Sequence, residues 1–258
     1  ETRGAPDPVT VYWSRRTGET ALGVSNTECK THRWTIQIPT QRDVAQATFI
    51  ATDDNESAAP AAPDKDAQLF SMQRFTPGWR RPWHGNCIAI GNAAARFEPI
   101  EGPELVIIQK GLDTLRKLFP IQGNDCGEAR EYNRTMLASF SRFRQFQQLI
   151  MAQDVRRFSI PASDDITAVE LARRIEQFAE RARVVMFDED SFDQESWIAV
   201  NVGRGVSPRQ IDALALAAPI DMISSKIRKL KSAIRKTVSS MPLQRDFLAS
   251  TGLASPEN

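Results

Sequence analysis

The sequence predicts a mixed α/β protein in which residues 1–103 are rich in β-strands and residues 104–258 are mainly helical. Two observations predict this division. Apolar and polar residues alternate along short runs in the first hundred residues, whereas from Glu104 onward apolar residues recur every three to four positions. The chain has 258 residues, 41% hydrophobic and 25% charged, which is a globular composition. We therefore expect a packed core and one or two domains.

The strands expected in the first part are short. Apolar runs at 9–13, 34–38 and 47–50 are separated by turn residues, and the second run alternates with period two. Residues 53–66 contain prolines and have no apolar periodicity, so we expect an exposed loop there. A further apolar strand is expected at 87–90.

Helical periodicity dominates the second part. We expect helices over 104–119, over about 126–152 and over 221–240, and another helix that begins with a capping box between Thr167 and Glu170. The predicted core combines apolar residues of both parts: Ile88, Ile90, Leu105, Ile108, Leu112, Leu115, Phe140, Phe143, Leu171, Ile175 and Phe178.

Charge and cysteine content limit the possible partners and location. The formal net charge is +1, so the chain has no global field that would attract nucleic acid or an anionic membrane. The three cysteines favour a reducing compartment, and neither a signal peptide nor a long apolar run is present. We expect a cytoplasmic protein with no nucleic-acid or membrane partner. The basic helix at 221–240 has two interpretations. It packs on the protein through its apolar face and leaves its cationic face in solvent, or it binds phosphate or a membrane surface.

Two weaker motifs have ordinary structural explanations. Cys29, His32, His84 and Cys87 have the residue types of a tetrahedral zinc site, but a small buried cysteine at the start of an apolar strand explains Cys87 without a metal. The sequence Gly203-Arg204-Gly205 lies between a strand-like run at 197–202 and a helix expected near Pro208. It lacks the third glycine of a dinucleotide fingerprint, so a turn into a helix explains it without a ligand.

Residues 75–104 carry the strongest candidate for a site. The expected strand ends at Gly91 among small residues, where a planar or phosphorylated ligand can approach the backbone. Two carboxylates, Glu98 and Glu101, precede the first long helix. A tight turn with two exposed acids explains the same residues without a site.

This passage resembles the flavin-dependent tryptophan halogenases. Trp83-x2-Asn86-Cys87-Ile-Ala-Ile-Gly91 is similar to the family's flavin-contacting segment, and Phe97-Glu98-Pro99-Ile100-Glu101 to its Phe-x-Glu-Pro-Leu-Glu-Ser-Thr-Gly motif. Weaker similarities over residues 30–250 are Trp34-Thr-Ile36-Gln-Ile38-Pro39, Glu131-Tyr132-Asn133, Phe187 to Trp197, Gly203-x-Gly205-x2-Pro208 and Met241-Pro242. The resemblance implies an α/β flavoprotein-type fold, halogenase-like or monooxygenase-like.

The resemblance also implies roles for individual residues. Gly91, Asn92 and Ala93 would contact FAD, which a separate flavin reductase supplies in reduced form. Glu101 would be the catalytic carboxylate beside the oxidised halogen. Phe192 and Trp197 would contact an indole or another electron-rich aromatic substrate, although either residue can equally belong to the core.

The departures from the family pattern are equally informative. Gly102, Pro103 and Glu104 replace the halide-binding turn; Pro103 has no N–H and Glu104 adds a negative charge, so halide binding there is doubtful. Ile36 replaces a tryptophan, which leaves monooxygenase-like oxidation open. No flavin-binding glycine motif or essential lysine matches. The chain therefore resembles the carboxyl-terminal half only, and a second polypeptide or upstream segment would carry the FAD-binding half. The alternative is a non-catalytic or monooxygenase-like relative that serves as a binding or assembly subunit.

Overall fold

The computed structural model describes residues 8–17, 25–30, 33–40, 43–51, 67–98, 100, 102–120, 127–152, 166–211 and 213–251. The chain divides into two compact units. One consists of Glu1–Asp7 with Thr76–Asp212, and the other of Pro8–Phe75 with Ala213–Asn258. The division predicted after residue 103 stays a prediction, and the compact units divide the chain at other positions.

The unit that begins at Pro8 contains a five-stranded antiparallel sheet with the strand order β2-β3-β4-β1-β5. The strands are β1 (Val9–Thr17), β2 (Asn26–Lys30), β3 (Arg33–Pro39), β4 (Asp43–Ala51) and β5 (Gln68–Phe75). Val9, Val11, Ala47 and Phe49 are buried together, because Val11 pairs with Phe49 across the sheet and residues two apart share a face. The strands predicted at 9–13, 34–38 and 47–50 are confirmed. The loop predicted at 53–66 lies outside the described residues.

The same unit contains α5 (Ala213–Leu216), α6 (Ile220–Ser240) and α7 (Gln244–Ser250). The helix predicted at 221–240 is confirmed as α6, but no residue of α6 is buried. Its aliphatic stripe, Ile223, Ile227, Leu230, Ile234 and Val238, is between 38% and 62% exposed. Of the two alternatives for this helix, docking through its apolar face therefore finds no support, because no described part of the chain covers that face.

The other unit consists of short hairpins followed by long helices. The strands are β6 (Gly78–Trp79), β7 (Trp83–His84), β8 (Cys87–Ile88) and β9 (Ala95–Arg96), with a 3₁₀ turn at Gly91–Ala93. The helices are α1 (Pro103–Lys117), α2 (Gly127–Met151), α3 (Ile166–Arg181) and α4 (Gln194–Gly203). The strand predicted at 87–90 is therefore shorter than expected.

The long helix α2 forms the centre of this unit. One face buries Tyr132, Met136, Phe140 and Phe143 beneath the hairpins and α1, and the carboxyl-terminal turns bury Phe146 and Leu149 against α3 and α4. Of the predicted core residues, Phe140, Phe143, Leu171, Ile175 and Phe178 are confirmed as buried. Four others are only half-buried: Ile88, Ile90, Ile108 and Leu115.

The predicted stripe of α1 is partly wrong. Leu105 is 78% exposed and Leu112 is 50% exposed, whereas Ile107 is buried. The helix turns a different face to α2 because Gly111 lies at the contact, where a Cβ would be 3.2 Å from the hydroxyl oxygen of Tyr132. The small residue permits the close approach, and Leu105 and Leu112 face outward.

Three local predictions in the helical region are also wrong. Residues 197–202, predicted as a strand, lie in α4, and no helix begins at the described residues next to Pro208. Gly205, at φ 82°, ends α4: its N–H donates to the carbonyl oxygen of Val202, and the N–H of Val206 donates to that of Asn201. Thr167 lies inside α3, so it does not form the predicted cap.

Candidate functional site

Two adjacent side chains of α2 hold the hairpin at Trp83–Ile88. The amide of Asn133 accepts a hydrogen bond from the N–H of Trp83 at 2.8 Å and donates to its carbonyl oxygen at 2.9 Å. The ring of Trp83 packs edge-on against Tyr132, with ring centroids 5.5 Å apart. Adjacent residues of α2 thus hold both the backbone and the side chain of this strand.

The outer end of the hairpin carries half of the possible zinc ligands. His84 pairs with Cys87 across the two strands, and both residues are exposed, so Cys87 is not the buried residue that the apolar run predicts. His32 and the side chain of Cys29 lie outside the described part. Among the described residues, no three histidine, cysteine or acidic side chains are grouped as metal ligands.

The predicted flavin-contacting residues form a single 3₁₀ turn. Gly91 begins it at φ 60°, and the N–H of Ala94 closes it by donating to the carbonyl oxygen of Gly91 at 2.9 Å. Gly91 is buried, and a Cβ on it would lie 3.2 Å from the side chain of Ile108. Asn92 and Ala93 are exposed. The turn therefore packs α1 against Gly91 and presents the next two residues on its outer side.

The segment that follows is anchored to α2 at Glu98 and Ile100. Glu98 is buried, and its carboxylate forms an ion pair with Arg144. The amide nitrogen of Gln147 donates to the carbonyl oxygen of Glu98 at 2.7 Å and to that of Ile100 at 2.8 Å. The ion pair gives Glu98 a structural role, so Glu101 is the better candidate for chemistry of the two acids that the sequence singles out.

Glu101 itself lies outside the described residues, but the helix start that follows it is described. Gly102 is exposed, has φ 55° and stands at the N-cap of α1, which begins at Pro103 without a side-chain cap. Glu104 lies in the first turn of α1, where a carboxylate interacts favourably with the positive end of the helix dipole. The three predicted halide-turn residues therefore form a helix start that already carries its own anion.

The predicted substrate residues lie in and after the segment 182–193. Phe192 is half-buried and stacks on Phe146, with ring centroids 3.7 Å apart and an interplanar angle of 16°. Trp197 is only 1% exposed and meets Phe146 edge-on at 5.1 Å. This burial favours the core alternative for Trp197, whereas Phe192 is only half-buried.

A buried arginine holds this segment in place. Arg174 forms an ion pair with Asp190, which also accepts the N–H of Phe187 at 2.7 Å. The guanidinium of Arg174 lies 4.5 Å from the ring centre of Phe187 and 4.2 Å from that of Trp197. Burial lowers the pKa of Arg174, and its hydrogen bond with Asp190 opposes that change. The late segment is thus attached to α3 by charge and ring contacts together.

A cleft of about 620 Å³ lies between α1, α2 and Glu189. Its walls combine both signs of charge, and two of its cations are already paired: Lys110 with Glu189 at 3.0 Å, and Arg134 with Glu131 at 2.6 Å. The Arg134 hydrogen bond lowers the pKa of Glu131. None of the site residues predicted from the sequence lines this cleft.

Comparison with known proteins identifies the family. The family model described as "Tryptophan halogenase" matches residues 12–220. The chain belongs to this family. Tryptophan 6-halogenase SttH of Streptomyces toxytricini is 24% identical over 208 residues, which are 76% of this chain and 38% of that protein. Tryptophan 7-halogenase RebH of Lentzea aerocolonigenes is 31% identical over 86 residues, 33% of this chain and 16% of that protein.

Solved structures of halogenases share the fold. Xcc4156, a flavin-dependent halogenase from Xanthomonas campestris, matches with a TM-score of 0.77 and 23% identity over 95% of this chain and 52% of that one. BrvH, a flavin-dependent halogenase from Brevundimonas sp. BAL3, matches with a TM-score of 0.75 and 21% identity over 96% of this chain and 52% of that one. The chain therefore spans about half the length of these halogenases. No described helix has the length and hydropathy needed to cross a membrane.

The structure adds two residues to the candidate site of this tryptophan halogenase family member that the sequence analysis missed, Arg144 and Gln147. The sequence carries a signal for Gln147, because this residue continues the stripe of Met136, Phe140 and Phe143 at helical spacing. In the structure Gln147 is 0% exposed. A polar residue on an apolar stripe needs a buried partner. The sequence does not show which segment supplies that partner.

Proposed function

We propose that this chain is the substrate-side part of a flavin-dependent halogenase-like oxidoreductase acting on an indole or another electron-rich aromatic compound. Family membership supports the reaction class. The observation that carries the assignment of Glu101 is the ion pair between Glu98 and Arg144. Because this ion pair gives the carboxylate of Glu98 a structural role, Glu101 is the acid of the segment that we assign to catalysis. In this proposal Glu101 is the catalytic residue, which polarises the electrophile or accepts the proton that the ring loses.

We propose that the turn at Gly91–Ala93 contacts one edge of a flavin. Asn92 and Ala93 are exposed and would contact FAD, while Gly91 shapes the turn and lets α1 approach. A separate reductase would deliver FAD in its reduced form. Bound reduced FAD, together with oxygen, would supply the oxidising equivalents for the reaction. We propose that the counterpart of the other half of the solved halogenases, on a second polypeptide or an upstream segment, provides the remainder of the FAD site.

The residues at the halide turn do not fit a halide well. Pro103 cannot donate a hydrogen bond, and the carboxylate of Glu104 lies in the same helix turn that a halide would approach. We therefore derive no halide-binding step from Gly102, Pro103 or Glu104. This observation motivates the second candidate, a monooxygenase-like or non-catalytic relative of the same scaffold that serves as a binding or assembly subunit.

Phe192 is the residue that we propose for substrate contact. Its ring stacks on Phe146 and is only half-buried, so that an aromatic substrate can extend the stack. Trp197 would act indirectly, by supporting Phe146 and Arg174 from the core.

The test is a reaction with the flavin-containing assembly, reduced FAD, oxygen, bromide and an indole. We expect the assembly to be yellow and Glu101→Gln to lower product formation by about 10²-fold to 10⁴-fold, the range for a lost acid–base group. Glu195→Gln, on an exposed residue of α4, is the matched control and should leave the rate unchanged. Product masses separate bromination from oxygen insertion. A colourless assembly, or equal rates for the two variants, would contradict an enzymatic role.

A further inference from the structure

The segment that leads to Glu101 is fixed by hydrogen bonds rather than by packing alone. Gln147 on α2 is 0% exposed, and its two hydrogen-bond acceptors are backbone carbonyls of Glu98 and Ile100. Since carbonyl oxygens only accept hydrogen bonds, the amide nitrogen of Gln147 must face them. Both N–H groups of that amide are then used.

The two residues whose carbonyls accept these hydrogen bonds come shortly before the proposed catalytic Glu101 in the sequence. Ile100 precedes Glu101 by one residue, and its own N–H donates to the carbonyl oxygen of Glu98 at 2.7 Å. Arg144, one turn before Gln147 on α2, holds the carboxylate of Glu98. The described residues on the amino side of Glu101, Glu98 and Ile100, are therefore tied to α2 through three groups, two carbonyls and one carboxylate.

We infer that Gln147 is a positioning residue that aims Glu101, with Arg144 in a supporting role. This inference rests on the proposed function of Glu101. A buried amide that serves only as filler would not need two short hydrogen bonds to an irregular segment, since leucine or methionine would fill the same space without a polar group to satisfy. A positioning residue should affect the rate of the chemical step more than the binding of the aromatic substrate.

The helix itself supplies a matched control. Gln145 is also 0% exposed and also donates a hydrogen bond from its amide nitrogen, but to Glu170 of α3 at 2.7 Å. Gln145→Met and Gln147→Met therefore remove the same group from the same helix, and only the second change releases the segment before Glu101.

The first measurement is amide hydrogen exchange of the full 258-residue chain. We expect Gln147→Met to raise exchange in peptides covering 97–105 by about ten-fold or more, because two buried hydrogen bonds are lost, and Gln145→Met to leave those peptides unchanged. Equal exchange in the two variants would overturn the inference without bearing on Glu101. If Gln147→Met fails to fold, Glu98→Gln, which keeps the shape of the side chain and removes its charge, should raise exchange in the same peptides.

The second measurement is steady-state kinetics of the flavin-containing assembly. We expect Gln147→Met to lower kcat by about ten-fold or more while KM for the indole changes by less than about two-fold. The double variant Glu101→Gln/Gln147→Met should be no slower than Glu101→Gln alone, because Gln147 acts through Glu101. Multiplying effects would overturn the inference. An unaffected Glu101→Gln variant would instead overturn the proposed function and leave the exchange result standing.

Discussion

Helices α2 and α6 are both long and amphipathic, but they differ completely in burial. Eleven of the 25 residues of α2 are buried, whereas none of the 21 residues of α6 is. The apolar stripe of α6 is purely aliphatic and its opposite face is strongly basic, while the stripe of α2 is interrupted by Asn133 and Gln147. The cleaner pattern therefore belongs to the exposed helix.

This difference shows what amphipathic periodicity does and does not determine. Period 3.6 predicts that a helix forms with one apolar face, but burial of that face depends on other segments that cover it. In α2 the two interrupting residues each bond to a backbone segment: Asn133 to Trp83, and the amide nitrogen of Gln147 to the Glu98 and Ile100 carbonyls. Polar residues on an apolar stripe are thus better evidence of an inward-facing helix than a stripe without them.

The largest difference between the two helices is expected when one apolar residue in each is truncated to alanine. Phe140→Ala in α2, at 0% exposure, should lower the free energy of unfolding by about 3–5 kcal/mol, because it leaves a cavity among aromatic rings. Leu230→Ala in α6, at 62% exposure, should change it by less than about 0.5 kcal/mol. Urea unfolding followed by tryptophan fluorescence measures both. A loss of similar size at Leu230 would show that α6 is covered in solution.

A smaller effect is expected when a hydrogen-bonding side chain is removed from each helix. Asn133→Ala leaves the N–H and carbonyl of Trp83 without the partner they have on α2, and should cost about 1–3 kcal/mol in unfolding free energy. Ser239→Ala in α6 removes a hydroxyl that donates to the carbonyl oxygen of Arg235 at an exposed site, and should be nearly neutral. Thermal or urea unfolding of both variants distinguishes them, and equal losses would refute the contrast.

Periodicity in the sequence predicts part of the regular elements. Strands β1, β3 and β4 and helices α1, α2 and α6 follow from the spacing of apolar residues. Helix α4 does not, because Ile198, Val200 and Val202 give it the composition of a strand. It is helical because Asp193 caps its first turn by accepting the N–H of Ser196, and because Trp197 and Asn201, four residues apart, are both buried.

The candidate site is predictable only in part, for a related reason. Its glycine turn and acidic segment are continuous in the sequence and resemble a family motif. Arg144 and Gln147 contact residues 46 and 49 positions earlier in the chain. Such contacts depend on how α2 crosses the hairpins, and local patterns carry no information on that crossing.

The smallest predicted effect concerns the pH dependence that a buried tyrosine gives to α2. Burial raises the pKa of Tyr132 above its usual value near 10. The folded state therefore keeps its proton while the unfolded state ionises, so the stabilising contribution is complete below pH of about 10 and is lost as pH rises through the folded pKa. Tyr132→Phe should remove this part of the alkaline decline.

The matched comparison for Tyr132 is the pH dependence of unfolding in the wild type and in the Tyr132→Phe variant between about pH 8 and pH 11, a range that spans the tyrosine titration. We expect the two curves to run parallel at the lower end and to diverge above pH of about 10, where only the wild type loses the contribution of the buried phenol. The other titratable groups are the same in both proteins, so they cancel in the difference. Parallel curves throughout would mean that the Tyr132 hydroxyl reaches water in the folded state, and would remove the contrast in solvent exclusion between α2 and α6 at this position.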